Sequence, residues 1–329
     1  MGGETLGELG EVAVLTRIFP RLPDAAVALV GPGDDAAVLA APDGRYVVTT
    51  DTMVHGPDFR FAWSTPRDLG WKAAATNLAD VAAMGARPTA LVVALVAPPD
   101  THVSVLEGIA DGLREALAVL APGCGVVGGD LSVSETLTIA VTAFGDLEGR
   151  APVLRSGARP GDVVAVSGAL GHAARGLALL FERAVDDSGA PDAVRAVELR
   201  PEFDVPLDAQ LSPTPPIADG VAAAVAGASA MLDVSDGLLL DARRIAAASG
   251  VAIELRSVAV AVEGVPLHEV LTGGEDHALL ATFPEWAELP GGFLAIGRVV
   301  SGSGVTVDGR AIDERGGWDP YEDWNGARG

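Results

Sequence analysis

Apolar positions along the chain switch between helical and strand-like spacing, and the switches outline its elements. Over residues 7–19, Leu9, Val12, Ile18 and Phe19 recur at helical intervals and Pro20 stops the segment. Short β candidates follow at 27–30, 36–40 and 46–50, the last two joined by the turn Pro42-Asp43-Gly44-Arg45. Thr65-Pro66 sets a capping residue before a proline at the first helical position, which predicts a helix to about Met84, ended by Gly85. A strand at 89–96, a helix at 102–120 and strands at 125–128 and 136–144 complete this half.

Turn formers and charge concentrate in GDLEGRAPVLRSGARPGD, which predicts a boundary around 145–159. Beyond it the alternation restarts, with a strand at 162–166, a helix at 170–185 and a Pro-rich stretch from Pro201 to Pro216. A helix at 217–226, a strand at 229–233, a helix at 236–249 and strands at 251–255, 278–283, 293–299 and 304–307 lead to the aromatic tail GGWDPYEDW. Two mixed sets of helices and short strands predict two domains of α+β (mixed α/β) type, 1–148 and 149–329, without a short-period repeat.

Composition narrows the partners. The 329 residues are 49% hydrophobic and 20% charged, which supports folded cores and excludes a disordered chain. With 45 Asp+Glu against 22 Lys+Arg, the net charge of -23 repels phosphate backbones and anionic lipid, so neither nucleic acid nor membrane is an expected partner. Cys124 is the sole cysteine and reads as a buried small hydrophobe, which excludes an intrachain disulfide and a thiolate zinc site. Glu4, Glu8 and Glu11 stand where a signal peptide needs positive charge, and no apolar run reaches the ~20 residues of a membrane span, so a cytoplasmic protein is expected. Lys72 is the only lysine, which rules out a G-x-x-x-x-G-K-[ST] loop.

Several acids sit in apolar, glycine-rich surroundings where a merely solvating charge is out of place. They are Asp34 and Asp35 in GPGDDAAVL, Asp51 in VVTTDTMV, Asp80 in TNLADVAAMG, Asp130 in VVGGDLS, Asp233 and Asp236 in LDVSDGL, and Glu275 and Asp276 in GGEDHALL. Two explanations compete. Single acids cap helices or close turns, as Asp233 and Ser235 would before the helix at 236, and as Asp130 would after its glycine pair. The acids taken together, with Asp80 on an apolar helix face one turn from Asn77, fit a site for hard divalent cations such as Mg2+. Gly31, Gly33, Gly128, Gly129, Gly273 and Gly274 would let backbone N–H groups approach a bound anion, and Arg155 would supply positive charge for a phosphate.

In order, GDDAAVL, TTDTMV, DLGWKAAATNLADVAAMGARP, GGD, RSGARPGD, LDVSDGL and GGEDHALL closely resemble the motifs of the thiamine-monophosphate kinase family, relatives of aminoimidazole ribonucleotide synthetase and selenophosphate synthetase. The resemblance runs from about residue 8 to Trp324. It implies a two-domain PurM-like architecture, an N-terminal β-sheet that joins its copy in a homodimer, and ATP-dependent phosphorylation of thiamine monophosphate to thiamine diphosphate, the final step of that cofactor's synthesis. Several Mg2+ ions would be held by Asp34, Thr49, Thr50, Asp51, Asp80, Asp130, Asp233 and Asp236. ATP, the co-substrate, would meet Gly129, Asp130, Arg155 and Ser235, with Asp34, Asp51, Asp130 and Arg155 carrying catalysis. Thiamine monophosphate would meet Glu275 and Tyr321, with Trp318 and Trp324 as neighbours.

One position departs from the family pattern. Where a substrate-contacting histidine usually precedes a phenylalanine, the chain reads VHGPDF, with Asp58 in that place and His55 three residues earlier. Asp58 substitutes, His55 swings in, or the contact is lost. The acceptor is itself a phosphate monoester, largely dianionic near neutral pH, so the nucleophile needs no general base and direct in-line transfer without a phosphoenzyme is expected. The competing readings are another ATP-dependent synthetase of the superfamily and a non-catalytic acidic cation-binding protein. A selenophosphate synthetase needs a reactive Cys or selenocysteine with a nearby Lys in the N-terminal segment, and neither precedes Lys72; the C-terminal cysteine of hydrogenase-maturation relatives is also missing.

Overall fold

The structure, a computed structural model, describes residues 4–30, 37–312 and 316–317. A capping box at Thr5 starts α1 (Leu6–Leu9), and Gly10 at φ +74° breaks the chain before α2 (Glu11–Ile18). The helix expected over 7–19 is therefore two, because a positive-φ glycine interrupts an otherwise helical period. There follow β1 (Ala28–Val30), β2 (Val38–Leu39), β3 (Val47–Val54), α3 (Pro66–Ala83), β4 (Arg87–Ala97), α4 (Val103–Leu120), β5 (Gly125–Val133) and β6 (Thr138–Asp146).

β1 pairs with β2, while β3 joins a separate four-stranded sheet of order β3-β6-β4-β5. The turn at 42–45 thus links strands of two sheets. Only β4 and β5 run parallel. β3 and β5 extend well beyond their expected ends, so Asp51 and Asp130 stand within strands and not at their tips. One face of the sheet shares a core with α3 and α4, through Leu91, Val93, Ile139 and Val141. On the other face Val48 is 60% exposed, and Thr50, Thr52, Asp130 and Ser132 are exposed beside it.

α3 is the hub between the halves. Thr65 and Asp68 form a capping box with Pro66 at the first helical position, and every residue from Asp68 to Ala79 is buried. A Cβ on Gly70 would stand 1.9 Å from the Ile109 carbonyl oxygen, so glycine lets α3 and α4 meet backbone to backbone.

The second half contains β7 (Val163–Ser167), α5 (His172–Arg183), α6 (Ala193–Leu199), α7 (Asp204–Leu211), α8 (Ile217–Val225), β8 (Ala230–Val234) and α9 (Leu238–Ser249). It continues with β9 (Ala252–Leu255), α10 (Ser257–Val260), α11 (Leu267–Thr272), β10 (Ala278–Phe283), β11 (Leu294–Val300), β12 (Gly304–Val307) and β13 (Arg310–Ala311). The Pro-rich stretch is not irregular throughout: it holds α7, where Pro206 falls in the first turn and removes no intrahelical bond. The strands form one sheet of order β13-β12-β9-β11-β7-β10-β8, antiparallel except between β9 and β12. Its edge strand β8 packs against α3, which brings acids of both halves together. Among the described residues no helix is long and apolar enough to cross a membrane.

Candidate active site

Strand alternation sorts the TTD motif onto two faces. Thr49 donates from Oγ1 to Asp80 Oδ2 of α3 at 2.7 Å, which places Thr49 and Asp51 on the α3 side. Thr50 turns to the open face, donating to the Val141 carbonyl oxygen at 2.9 Å and accepting from Thr142 at 3.2 Å. It does not join Thr49 and Asp51 around one point.

Asp51, Asp80 and Asp233 form an acidic centre under β3, α3 and β8. Burial, then Asp233 and Asp51, raises the pKa of Asp80 to about 6 against the pull of the Thr49 hydrogen bond. Asp51 is raised in the same way, by burial and then by Asp233 and Asp236, although part of its surface stays open. Asp233 is 4% exposed, and His277 Nδ1 lies 3.1 Å from its Oδ2. Asp233 is therefore not the cap of α9. Gly237 is the N-cap, and Asp241 in the first turn of α9 reaches back so that its Oδ2 accepts the N–H groups of Asp236 and Gly237 at 3.1 and 3.2 Å. Arg244 bridges Asp236 at 2.6 Å and Asp241 at 2.5 Å.

The SDG and GGED segments are stapled together. Glu275 N–H donates to the Ser235 carbonyl at 2.8 Å and His277 N–H to that of Val234 at 3.1 Å. A Cβ on Gly274 would stand 2.3 Å from the Ser235 carbonyl oxygen, so this glycine serves the approach of two loops and not of an anion. Asp276 is a cap: its carboxylate accepts the N–H groups of Gly171 and Ala173 at the start of α5, at 2.6 and 2.9 Å. Glu275 Oε2 accepts from Lys72 Nζ at 2.7 Å and Gln210 Nε2 at 2.6 Å.

Asp58 takes the Val54 N–H at 2.7 Å and closes its own loop; burial raises its pKa, with Glu275 and Lys72 close enough to act on it. His55 packs against Phe59 and Phe61.

Three expected residues stand away from the acidic centre. Asp51, Val141, Val93 and Gly129 occupy one row across the sheet, which puts Asp51 and the Gly129-Asp130 pair on opposite edges, about 14 Å apart at ~4.8 Å per strand. Arg155 lies beside the start of β8: Met231 N–H donates to the Leu154 carbonyl, and Ser249 Oγ to that of Arg155. Its guanidinium makes no ion pair among the described residues. Asp34, Asp35, Trp318, Tyr321 and Trp324 lie outside those residues.

An apolar pocket adjoins Gly128, Gly129 and Asp130, walled by Ile18 and Phe19, by Ala110 and Leu113 of α4, and by Val93 of β4. Nothing in the hydrophobic pattern announced it, because its walls come from four separate segments. Lys72 stood out as the sole lysine, but its partners Gln210 and Glu275 lie far along the chain. His277, Asp241 and Arg244 adjoin motifs without belonging to their acidic signature.

Among the described residues no three His, Cys, Asp or Glu side chains converge tightly enough to hold one ion unaided. The donor set still fits Mg2+ in kind. It is all oxygen, its mutual repulsion shows in the raised pKa of Asp51 and Asp80, and Mg2+ usually completes its shell with waters and substrate phosphates.

An edge-to-edge acidic sheet under a buried helix, with a second α/β sheet behind it, defines the class: residues 33–147 match the family model described as AIR synthase related protein, N-terminal domain. Over nearly its full length the chain is similar to thiamine-monophosphate kinase of Mycobacterium tuberculosis (strain ATCC 25618 / H37Rv), at 46% identity covering 96% of this chain and 93% of the relative. Thiamine-monophosphate kinase from Stenotrophomonas maltophilia K279a superposes with a TM-score of 0.76 at 33% identity, over 92% of this chain and 98% of that one. AaThiL complexed with AMPPCP and TMP gives a TM-score of 0.73 at 33% identity, over 97% and 99% of the two chains. The chain belongs to the thiamine-monophosphate kinase family.

Proposed function

We propose that the chain transfers the γ-phosphoryl group of ATP directly to the phosphate of thiamine monophosphate, in a site completed by a second protomer. The observation that carries this reading is the centre formed by Asp51, Asp80 and Asp233, whose acids repel one another next to the Lys72–Glu275 pair. A relative of the same fold holds AMPPCP and TMP together, which supports the same pair of ligands here.

In this reading residues 1–148 form the dimerising domain that binds ATP and Mg2+, and residues 149–329 add Ser235 and Arg155 to the nucleotide site and carry the aromatic substrate-binding tail. The apolar pocket beside Gly129 and Asp130 takes the flat adenine base. Ser235 and Arg155 meet the phosphates. Asp34, Thr49, Thr50, Asp51, Asp80, Asp130, Asp233 and Asp236 share Mg2+, which when bound neutralises phosphate charge and admits a polyanion to a polyanionic protein. Asp58, Glu275 and Tyr321 face thiamine monophosphate. Because its acceptor oxygen is already anionic, the residues have only to align it in line with the γ-phosphorus and exclude water.

The separation of Asp51 from Asp130 supports a homodimer in which each site draws on both protomers, and the open sheet face supplies the surface for it. A single buried thiol suits a cytoplasmic enzyme. The test is direct: ATP, Mg2+ and thiamine monophosphate incubated with the purified protein should give thiamine diphosphate and ADP, and chelation of Mg2+ should stop it. A 32P-labelled protein that decays to product would overturn direct transfer.

A further inference from the structure

Every basic residue but one is arginine, and the exception is buried: Lys72 on α3 is 5% exposed. Its ammonium donates to the Gln210 carbonyl oxygen at 3.0 Å and to Glu275 Oε2 at 2.7 Å. Gln210 Nε2 donates to the same Oε2 at 2.6 Å. Two donors from two elements therefore grip one oxygen of Glu275, and among the described residues nothing hydrogen-bonds to the other. The Glu275 side chain is 39% exposed against 6% for Lys72, so the open part of the pair is on the carboxylate side. The backbone of Glu275 is fixed too, at φ +67° with its N–H on the Ser235 carbonyl.

We propose that Lys72 is a positioning residue for the acceptor substrate, pinning and neutralising Glu275 so that its free Oε1 accepts a hydrogen bond from the amino group of a bound aminopyrimidine. This deepens the proposed function and rests on it. The alternative role for Glu275, counter-ion to the cationic thiazolium ring, fits the geometry less well. A carboxylate already matched by a buried ammonium offers little net attraction to a second cation, but it keeps a well-aimed acceptor. Burial works against the charge of Glu275, yet Lys72 and Gln210 hold its pKa below the ordinary range, so it is ionised and accepts only. Lysine suits the position because a compact ammonium reaches both a carbonyl and a carboxylate from inside an apolar helix face.

The experiment is a double-mutant cycle on the full chain with Lys72→Met, Glu275→Gln and the pair, read as separate KM values for thiamine monophosphate and ATP. Lys72→Met should raise KM for thiamine monophosphate by about tenfold or more while kcat and KM for ATP stay within about threefold. In the Glu275→Gln background it should add little. The wild type should also prefer the amino substrate over an analogue with an oxo group on the pyrimidine, and Lys72→Met should erase that preference. Equal rises in both KM values, additive effects of the two substitutions, or a wild type indifferent to the amino-to-oxo change would overturn the inference. Should Lys72→Met fail to fold by circular dichroism, Gln210→Leu removes the second donor to Oε2 and should raise KM for thiamine monophosphate alone; a rise for ATP instead would count against the inference. A folded wild type with no kinase activity on thiamine monophosphate would overturn the proposed function itself.

Discussion

Asp51 and Gly129 lie in the same cross-strand row of the four-stranded sheet, at its two opposite edges, with Val141 and Val93 between them. A nucleotide held beside Gly129 therefore cannot place its phosphates on Asp51 of the same protomer without crossing the sheet. Joining the sheets of two copies removes the conflict. Asp51→Asn and Asp130→Asn should each abolish activity, and mixed dimers of the two should regain about a quarter of wild-type activity, since half the dimers are mixed and each keeps one intact site. No recovery on mixing would sink the shared site. In the proposed dimer, Ala140, in the open-face row with Thr52, Ala94 and Asp130, is the place to break the interface: Ala140→Arg should yield an inactive monomer by light scattering.

Asp80 is an acid whose charge the fold disfavours and the proposed Mg2+ site uses. Its pKa is raised from 3.8 to about 6, so the ionised carboxylate costs the fold free energy when no cation is present. Asparagine keeps an acceptor for Thr49 Oγ1 and loses the charge. Asp80→Asn should stabilise the metal-free protein by about 1–2 kcal/mol, a few degrees in Tm, while abolishing phosphoryl transfer. A calorimetric scan showing lower stability for Asp80→Asn would contradict the repulsion.

Local chemistry makes α3 legible in the sequence: Thr65 caps, Pro66 opens, Gly85 ends, and Asp80 stands out against its alanines. The four-stranded sheet was harder. Strand positions follow from alternation, but the order β3-β6-β4-β5 is set by long-range pairing, so no motif revealed that Asp51 and Asp130 face away from each other. Asp276 looked like part of an acidic signature and caps a helix about a hundred residues away in the chain. Acid clusters mark a region of strong negative charge, whereas the division between free acid, cap and buried pair depends on partners that only folding supplies.

The pH dependence of stability should weaken when Mg2+ binds. The folded pKa of Asp80 lies above its unfolded value, so the folded chain binds protons more tightly between about 4 and 6, and stability falls as pH rises through that window. Asp51 and Asp58 are shifted the same way, and His277, raised despite burial by its bond to Asp233, loses its contribution as pH rises further. Glu275, lowered, contributes above its unfolded value of 4.5 and opposes the trend only at the acid end. Metal-free protein should therefore melt lower at pH 7 than at pH 5, and added Mg2+ should raise Tm more at pH 7. A metal-free Tm that climbs between those values would refute the assignment.

The glycine pair ahead of Asp130 divides into one residue the sheet requires and one where an added side chain meets open space. A Cβ on Gly129 would lie 2.0 Å from the Val93 carbonyl oxygen, inside the β4–β5 pairing, so Gly129→Ala should force the strands apart and destabilise the protein whether or not ATP is present. At Gly128 a Cβ would meet nothing within 4 Å, and the residue lines the apolar pocket. Gly128→Val should fold with near wild-type Tm, because its side chain leaves on the open face in the row of Thr50, Thr142 and Val92; Ala110→Leu, on the α4 wall, instead puts bulk into the space where the adenine is placed. KM for ATP should rise by about tenfold or more with KM for thiamine monophosphate unchanged, because the lost contacts are those of one ligand's binding and not of the transfer itself. Should Ala110→Leu leave KM for ATP at its wild-type value, the base binds elsewhere, and Gly129 owes its identity to strand packing alone.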